Sequence, residues 1–394
     1  MTSDPEPVPA WGRIALSAYG PTALSSIGFG AVTPLVALSA RDLGAGYGLA
    51  AFITSLLGLG QLLADLPAGW VAERLGERRA IVAACLVDAV ALLFAFQSRS
   101  LHGLGAAVLV CGMSGAVFGL ARQTYLTEVV PLRFRARAMS TLGGVFRIGG
   151  LAGPLAGAAV VASLGLPAAY AFAAVMSLIA AGVTLTLPDL PGENRGSADA
   201  VQGLPTVLRA HARTYLTQGV GAMLIMVVRS ARQALIPLWC DANGLSAAAT
   251  SLIFALSMAF DLALFFFGGS LMDRFRRVWV AAPAMLVMGL GLALLPLTHG
   301  AASITAVAAL VGLGNGISSG VVMTLGSDAS PAESRTRFLA GWRLMSDTGS
   351  MIGPLSISVL TLVAPLGVAS LVLGLTGWAG AAWLLRVLPR RAGR

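Results

Sequence analysis

Twelve apolar stretches of about twenty residues, each bounded by charge or by Gly/Pro turns, account for most of the chain. They run roughly from 14 to 39, 48 to 72, 80 to 97, 104 to 127, 138 to 162, 168 to 187, 215 to 240, 248 to 272, 278 to 297, 303 to 327, 338 to 363 and 368 to 386. A helix needs about 20 apolar residues to cross the hydrocarbon of a bilayer, where every backbone polar group must be satisfied internally. The pattern predicts an all-α integral membrane protein with twelve transmembrane helices. Spans of ~22 residues use roughly 264 positions and leave about 130 for connections and ends, too few for a separate soluble domain. Only 11% of residues are charged and mean hydropathy is +0.83, against about 25% charge in an ordinary soluble domain. The net charge of +9 punctuates the apolar runs and does not gather on one solvated face, so no nucleic-acid partner is expected.

Loop arginines orient the chain, because cytoplasmic loops retain positive charge. With an inside N-terminus, 19 arginines lie inside, Arg41 and Arg99 outside, and Arg122, Arg147, Arg229, Arg232 and Arg343 within spans. Both termini are thus expected in the cytoplasm, and the chain in the inner (cytoplasmic) membrane. Residues 1 to 13 are acidic and Pro-rich and lack the basic start of a cleavable leader. The longest connection, 188 to 214, is rich in Gly and Pro and predicts a flexible cytoplasmic linker between six-helix bundles at 14 to 187 and 215 to 386, with a tail at 387 to 394.

A shift of 200 residues superimposes Gly69 on Gly269, Arg74 on Arg274, Thr124 on Thr324, Pro131 on Pro331, Gly149 on Gly349 and Gly153-Pro154-Leu155 on Gly353-Pro354-Leu355. Acid falls on acid at Glu73/Asp273 and Glu128/Asp328. The matches are mainly Gly, Pro and Arg, which low-complexity apolar sequence does not produce by chance. They predict two pseudosymmetric halves with a central site between them, a transporter architecture.

The turn after the second stretch reads Gly69-Trp-Val-Ala-Glu73-Arg74-Leu-Gly76-Glu-Arg78-Arg79, copied as Gly269-Ser-Leu-Met-Asp273-Arg274-Phe-Arg-Arg277. It resembles the G-x-L-x-D-R-x-G-R-R loop of the major facilitator superfamily. Gly69 is expected to allow close helix packing, and Glu73 to sit at the positive N-terminal end of a neighbouring helix. The fifth stretch holds Gly149-x-x-x-Gly153-Pro154-x-x-Gly157, resembling a motif of that superfamily's drug:proton antiporters. Small residues there permit close backbone approach and Pro154 removes an amide donor, so the helix can pack tightly and bend. The eleventh stretch repeats Gly349, Gly353 and Pro354 but has Ile357 where Gly157 would recur. A fourth-helix Arg that many members carry four residues before a Gly is Cys111 here, before Gly115.

Ionisable groups inside a bilayer cost at least ~2.5 kcal/mol at the helix centre and usually face a partner or a watery cavity. Asp65, Asp88, Asp261 and Asp347 oppose the five span arginines. At ~1.5 Å per residue, Asp65 lies about 12 Å from the membrane edge, and Arg343 and Asp347 about 8 and 14 Å. The resemblance implies that helices 2 and 11, and 5 and 8, meet between the halves. It would pair Asp65 with Arg343 and Arg147 with Asp261 as latches, alongside Gly69, Glu73, Arg74, Arg78, Glu128, Asp273 and Arg274. Two alternatives stand beside it: Arg343 satisfies Asp347 within one helix, or Arg229 neutralises Asp261. The resemblance also implies that helices 1, 4, 7 and 10 line a central cavity. Arg229 and Arg232 on the seventh, with Ser26 and Asn315 on the first and tenth, are then substrate-binding candidates. Asp65, Asp261 and Asp347 are candidates for proton coupling, and Asp88, on a peripheral helix, for a structural role.

Cys85, Cys111 and Cys240 show no metal-ligand spacing and are expected to be packing residues. His102, His211 and His299 fall near loops, where solvated histidines are expected. No metal, cofactor, catalytic grouping or phosphate-binding loop is expected. The chain is expected to work as a monomer in the lipid bilayer, exporting small amphipathic molecules in exchange for protons by alternating access. Alternatives are proton-coupled uptake of an anionic metabolite, lipid export, and a transport-dead receptor or scaffold.

Overall fold

The computed structural model describes residues 19 to 186 and 204 to 388; residues 1 to 13, most of the expected linker and the last six residues lie outside that range. Twelve long helices follow one another: α1 Gly20–Asp42, α2 Tyr47–Leu75, α3 Glu77–Gln97, α4 Leu101–Val129, α5 Leu132–Leu164, α6 Ala168–Leu185, α7 Ala212–Ala242, α8 Ala247–Arg274, α9 Arg277–Leu297, α10 Gly300–Ala329, α11 Arg335–Leu360 and α12 Leu366–Val387. No strand occurs among the described residues. Eleven helices are long and apolar enough to cross a membrane; the remaining one, α11, has 26 residues but carries Arg335, Arg337, Arg343 and Asp347.

Local chemistry sets the ends of these helices. Gly44 and Gly244, one repeat apart, adopt φ of +88° and +72°, a conformation costly for any residue with a Cβ. Ser100 and Ser246 cap α4 and α8, accepting hydrogen bonds from Gly103 N and Ala249 N at 3.1 and 3.2 Å, and so satisfy amides a helix start leaves unpaired. Pro34 lacks an amide hydrogen, and α1 tightens there into a 3-10 turn over Thr33–Leu35.

Packing repeats between the halves. In the first, α1 packs on α5, α2 on α4 and α3 on α6; in the second, α7 packs on α11, α8 on α10 and α9 on α12. Contacts between the two sets run chiefly through α2 against α11 and α5 against α8. A methyl group added at Gly153 would overlap the Ile27 carbonyl and stand 2.7 Å from Ala31 N; at Gly353 it would stand 2.5 Å from Val227 O and 2.7 Å from Ala231 N. Each pair of partners is itself 200 residues apart, so one small-residue contact is built twice. Gly157 lies 3.0 Å, measured from such a methyl, from Ala31 O, whereas Ile357 at the equivalent position is fully buried. Large apolar side chains point outward, among them Val90, Phe94, Leu164, Leu362 and Val363, while Arg232 and Asp261 are buried. Soluble monomers avoid such large exposed patches; a lipid-facing surface requires them.

Three expectations change. Gly69 meets nothing within 4 Å, so it does not serve close packing: the packed side of this end of α2 carries Ala68 and Ala72, and Gly69 lies off it. Part of the expected linker is ordered: Leu204–Ala210 is helical, packs on α11 and fully buries Val207. His211 is not solvated but partly buried, its ring meeting Phe338 edge-on at 5.6 Å. Tyr215 stacks on the same Phe338 ring at 4.9 Å and donates to the Phe338 carbonyl at 2.8 Å.

Candidate functional site

Charged groups within the spans gather chiefly in two clusters between the halves, with Asp88 and Arg122 apart. In the first cluster Arg343 on α11 places Nε 3.0 Å from Asp65 Oδ1 on α2 and 3.5 Å from Asp347 Oδ2 on its own helix. The cross-half pair and the within-helix pair therefore coexist. The approach to Asp65 is an ion pair without hydrogen-bond alignment, and both Asp65 oxygens are buried without a donor. The Asp65 side chain is 4% exposed and that of Arg343 36%, so a sealed carboxylate faces a partly wet guanidinium. A close approach upstream aligns them: a methyl at Gly58 would stand 2.8 Å from Met351 N.

The second cluster centres on Asp261 of α8. Its Oδ1 accepts from Arg147 of α5, its Oδ2 from Arg232 of α7 at 3.2 Å and from Asn315 of α10. Arg147 also lies over the Phe265 ring at 4.5 Å. Arg229 is not the arginine that neutralises Asp261; it donates to the Ser318 carbonyl and hydroxyl, both at 3.2 Å. Residues three apart sit about 60° apart around a helix, so Arg232 meets α8 and Arg229 meets α10. Arg229 Nε and Arg232 Nε and Nη1 are buried without an acceptor. One carboxylate thus stands among three guanidiniums.

The two clusters are equivalents displaced by one helical turn. The repeat places Phe265 at the position of Asp65 and Gly143 at that of Arg343. Asp261 and Arg147 each lie four residues, about 6 Å, deeper along their helices. Phe265 then lies beneath the guanidinium whose carboxylate partner moved away from that position.

Other candidates distribute unevenly. Ser26 donates within its own helix, to Thr22 O at 2.6 Å, and packs against Gly149; its neighbour Ser25 borders a cavity instead. Glu73 is exposed, and the acid at a helix N-terminus is Glu77, buried in the first turn of α3. Arg74 lies over Trp70 at 4.3 Å, and Arg78 donates to Leu185 O at the end of α6 at 2.5 Å. Glu128 and Arg274 are exposed. Asp273 falls in the last turn of α8, and its equivalent-loop neighbour Arg277 pairs with Asp328 at 3.1 Å. Arg122 sits between the Phe118 and Phe146 rings, 5.4 Å from each. Asp88 accepts from Ser114 and Ser177, and Cys111 borders the same cavity.

One pair escaped the sequence reading. Arg41 at the end of α1 binds Asp241 at the end of α7 at 2.8 Å, donates to Ala45 O at 2.6 Å and covers Tyr47 at 4.2 Å. It joins the ends of α1 and α7 opposite the arginine-rich end. The signal was present, since positions 41 and 241 are one repeat apart, but opposite charges do not register in a search for identical residues.

The Major Facilitator Superfamily model matches residues 22–354 and again 218–394. The chain belongs to that family. A gallate transporter of Pseudomonas putida is 31% identical over 154 residues, 36% of this chain and 33% of that protein. Multidrug resistance protein MdtG of Enterobacter lignolyticus is 25% identical over 176 residues, 44% of this chain and 42% of MdtG. The matches therefore span less than half the length of these relatives. The crystal structure of the nucleoside transporter NupG superimposes with a TM-score of 0.78 at 14% identity, covering 96% of this chain and all of that one; at that identity the likeness is of fold. The chain is a multi-pass membrane protein with this family's helical architecture.

Proposed function

We propose that the protein is a secondary transporter that expels small amphipathic molecules in exchange for protons, alternating between states open to either side of the cytoplasmic membrane. The observation that carries this reading is Asp65, a carboxylate sealed between the halves, without a hydrogen-bond donor, sharing one guanidinium with Asp347. A nearby guanidinium favours the charged form of such a carboxylate, so parting of the helices, which takes Arg343 away, makes it easier to protonate. Separation of α2 from α11 couples protonation to conformation. The distribution of loop arginines supports a cytoplasmic location for both chain ends. The similarity to MdtG supports export.

A second reading is proton-coupled uptake of an aromatic or other organic anion. The unused donors of Arg229 and Arg232 favour it, since a desolvated guanidinium attracts carboxylates strongly, and the gallate transporter is among the relatives. Everted vesicles carrying an imposed pH gradient separate the two. Accumulation of an amphipathic dye, lost with protonophore, supports export; gradient-driven movement of benzoate-type anions toward the cytoplasmic face assigns uptake. No gradient-dependent movement of either class overturns both.

A further inference from the structure

Asp88 stands apart from both inter-half clusters, midway along α3 and inside the first six-helix set. Ser114 Oγ on α4 donates to its Oδ1 at 3.2 Å and Ser177 Oγ on α6 to its Oδ2 at 2.6 Å. Among the described residues no arginine or histidine pairs with it, whereas Asp65, Asp261 and Asp347 all have guanidinium partners. The hydroxyls fix the direction of the carboxylate without cancelling its charge. Asp88 forms part of the wall of a cavity bordered by Phe29, Leu92, Val108, Phe118 and Tyr170.

A lone carboxylate in an apolar wall is stable when it binds a proton or when a cation enters beside it. A hard metal cation needs six or more oxygen ligands; here the two hydroxyls nearest Asp88 already donate to it and the named walls are mostly carbon. The rings of Phe29 and Tyr170 at the border suit a charged nitrogen carried on a hydrophobic body, through cation–π attraction and burial, while Phe118 already carries Arg122. We propose that this cavity binds the ammonium group of a small hydrophobic amine, with Asp88 as its counter-ion and Ser114 and Ser177 holding the carboxylate in place. The site is separate from the arginine-lined region between the halves and opposite to it in polarity. It does not depend on the proposed direction or driving force of transport.

Binding of phenethylammonium and of its neutral isostere 2-phenylethanol to the full-length protein in lipid nanodiscs, measured by calorimetry without any gradient, tests it. The amine is expected to bind at least tenfold more tightly than the alcohol. Asp88→Asn, which keeps the shape, should bring the amine down to the level of the alcohol; Ala107 also borders the cavity, and Ala107→Leu, which narrows it and leaves Asp88 in place, should weaken both. Equal affinities in the parent protein, or undiminished amine binding in Asp88→Asn, overturn the proposal and leave Asp88 as a structural group. Should Asp88→Asn fail to fold, the narrowed variant decides: amine binding undiminished in Ala107→Leu places the amine elsewhere.

Discussion

Asp65 and Arg229 are single charges whose surroundings leave something undone. Asp65 has an ion-pair partner and no hydrogen-bond donor; Arg229 has hydrogen-bond acceptors and no carboxylate. Asparagine at 65 removes the titrating group while preserving volume. Asp65→Asn should abolish gradient-driven accumulation in proteoliposomes yet leave exchange of substrate down its own gradient, and undiminished uphill transport would remove Asp65 from the coupling. Arg229→Gln should weaken binding of an acidic or electron-rich substrate about tenfold or more, as expected when a charge-assisted hydrogen bond is lost. If binding is unchanged and only thermal stability falls, Arg229 braces α7 against α10.

Pairs of helices carry the next set of consequences. The α2–α11 and α5–α8 contacts each hold one acid–arginine pair across the halves, at depths differing by a turn, and α11 adds Asp347 to the first. Reversing one partner leaves like charges facing each other, a penalty of several kcal/mol when dry and less here because Arg343 is partly wet. Arg343→Asp should therefore impair transport, and adding Asp65→Arg should restore part of it by forming the pair with reversed polarity. A double variant no better than the worse single one would show that Asp347, not Asp65, is the working partner of Arg343. Glycines at helix contacts differ just as sharply. Gly153→Ala must push α1 away and should cost about 1–3 kcal/mol, read as a lower melting temperature in detergent, while Gly69→Ala should be neutral because its position is open.

At the scale of the whole molecule, ion pairs stand at both ends of the half-to-half interface. Arg41–Asp241 joins α1 to α7 opposite the arginine-rich end, and the Asp65 and Asp261 clusters join the halves toward that end. A rocking motion that opens one end must keep or tighten the other. The Arg41–Asp241 pair is about a third exposed on each side, so its contribution is about 1 kcal/mol or less, enough to change a two-state population up to about fivefold. Arg41→Ala should increase the fraction open at that end, seen as longer distances between spin labels on the outer ends of α1 and α7. Unchanged distances would make the pair a surface contact without a gating role.

Helix number, the repeat and the positions of the interior charges were all legible in the chain, because membrane spans are encoded by length and hydropathy and a duplicated unit leaves Gly, Pro and Arg in step. The Asp65–Arg343 and Arg147–Asp261 contacts were readable once the halves were placed as the family resemblance implies. What tertiary structure alone decided is which neighbour each charge meets. Arg232 reaches Asp261 and Arg229 turns to Ser318 because 60° around a helix selects a different neighbour; Ser26 is absorbed by Gly149 while Ser25 faces a cavity; Asp88 receives hydroxyls from two other helices but no arginine. Hydropathy specifies that a segment lies in the membrane, but it is nearly blind to rotation about the helix axis, and that rotation is set by the close contacts of small residues such as Gly153 and Gly353 with partners far away in the chain.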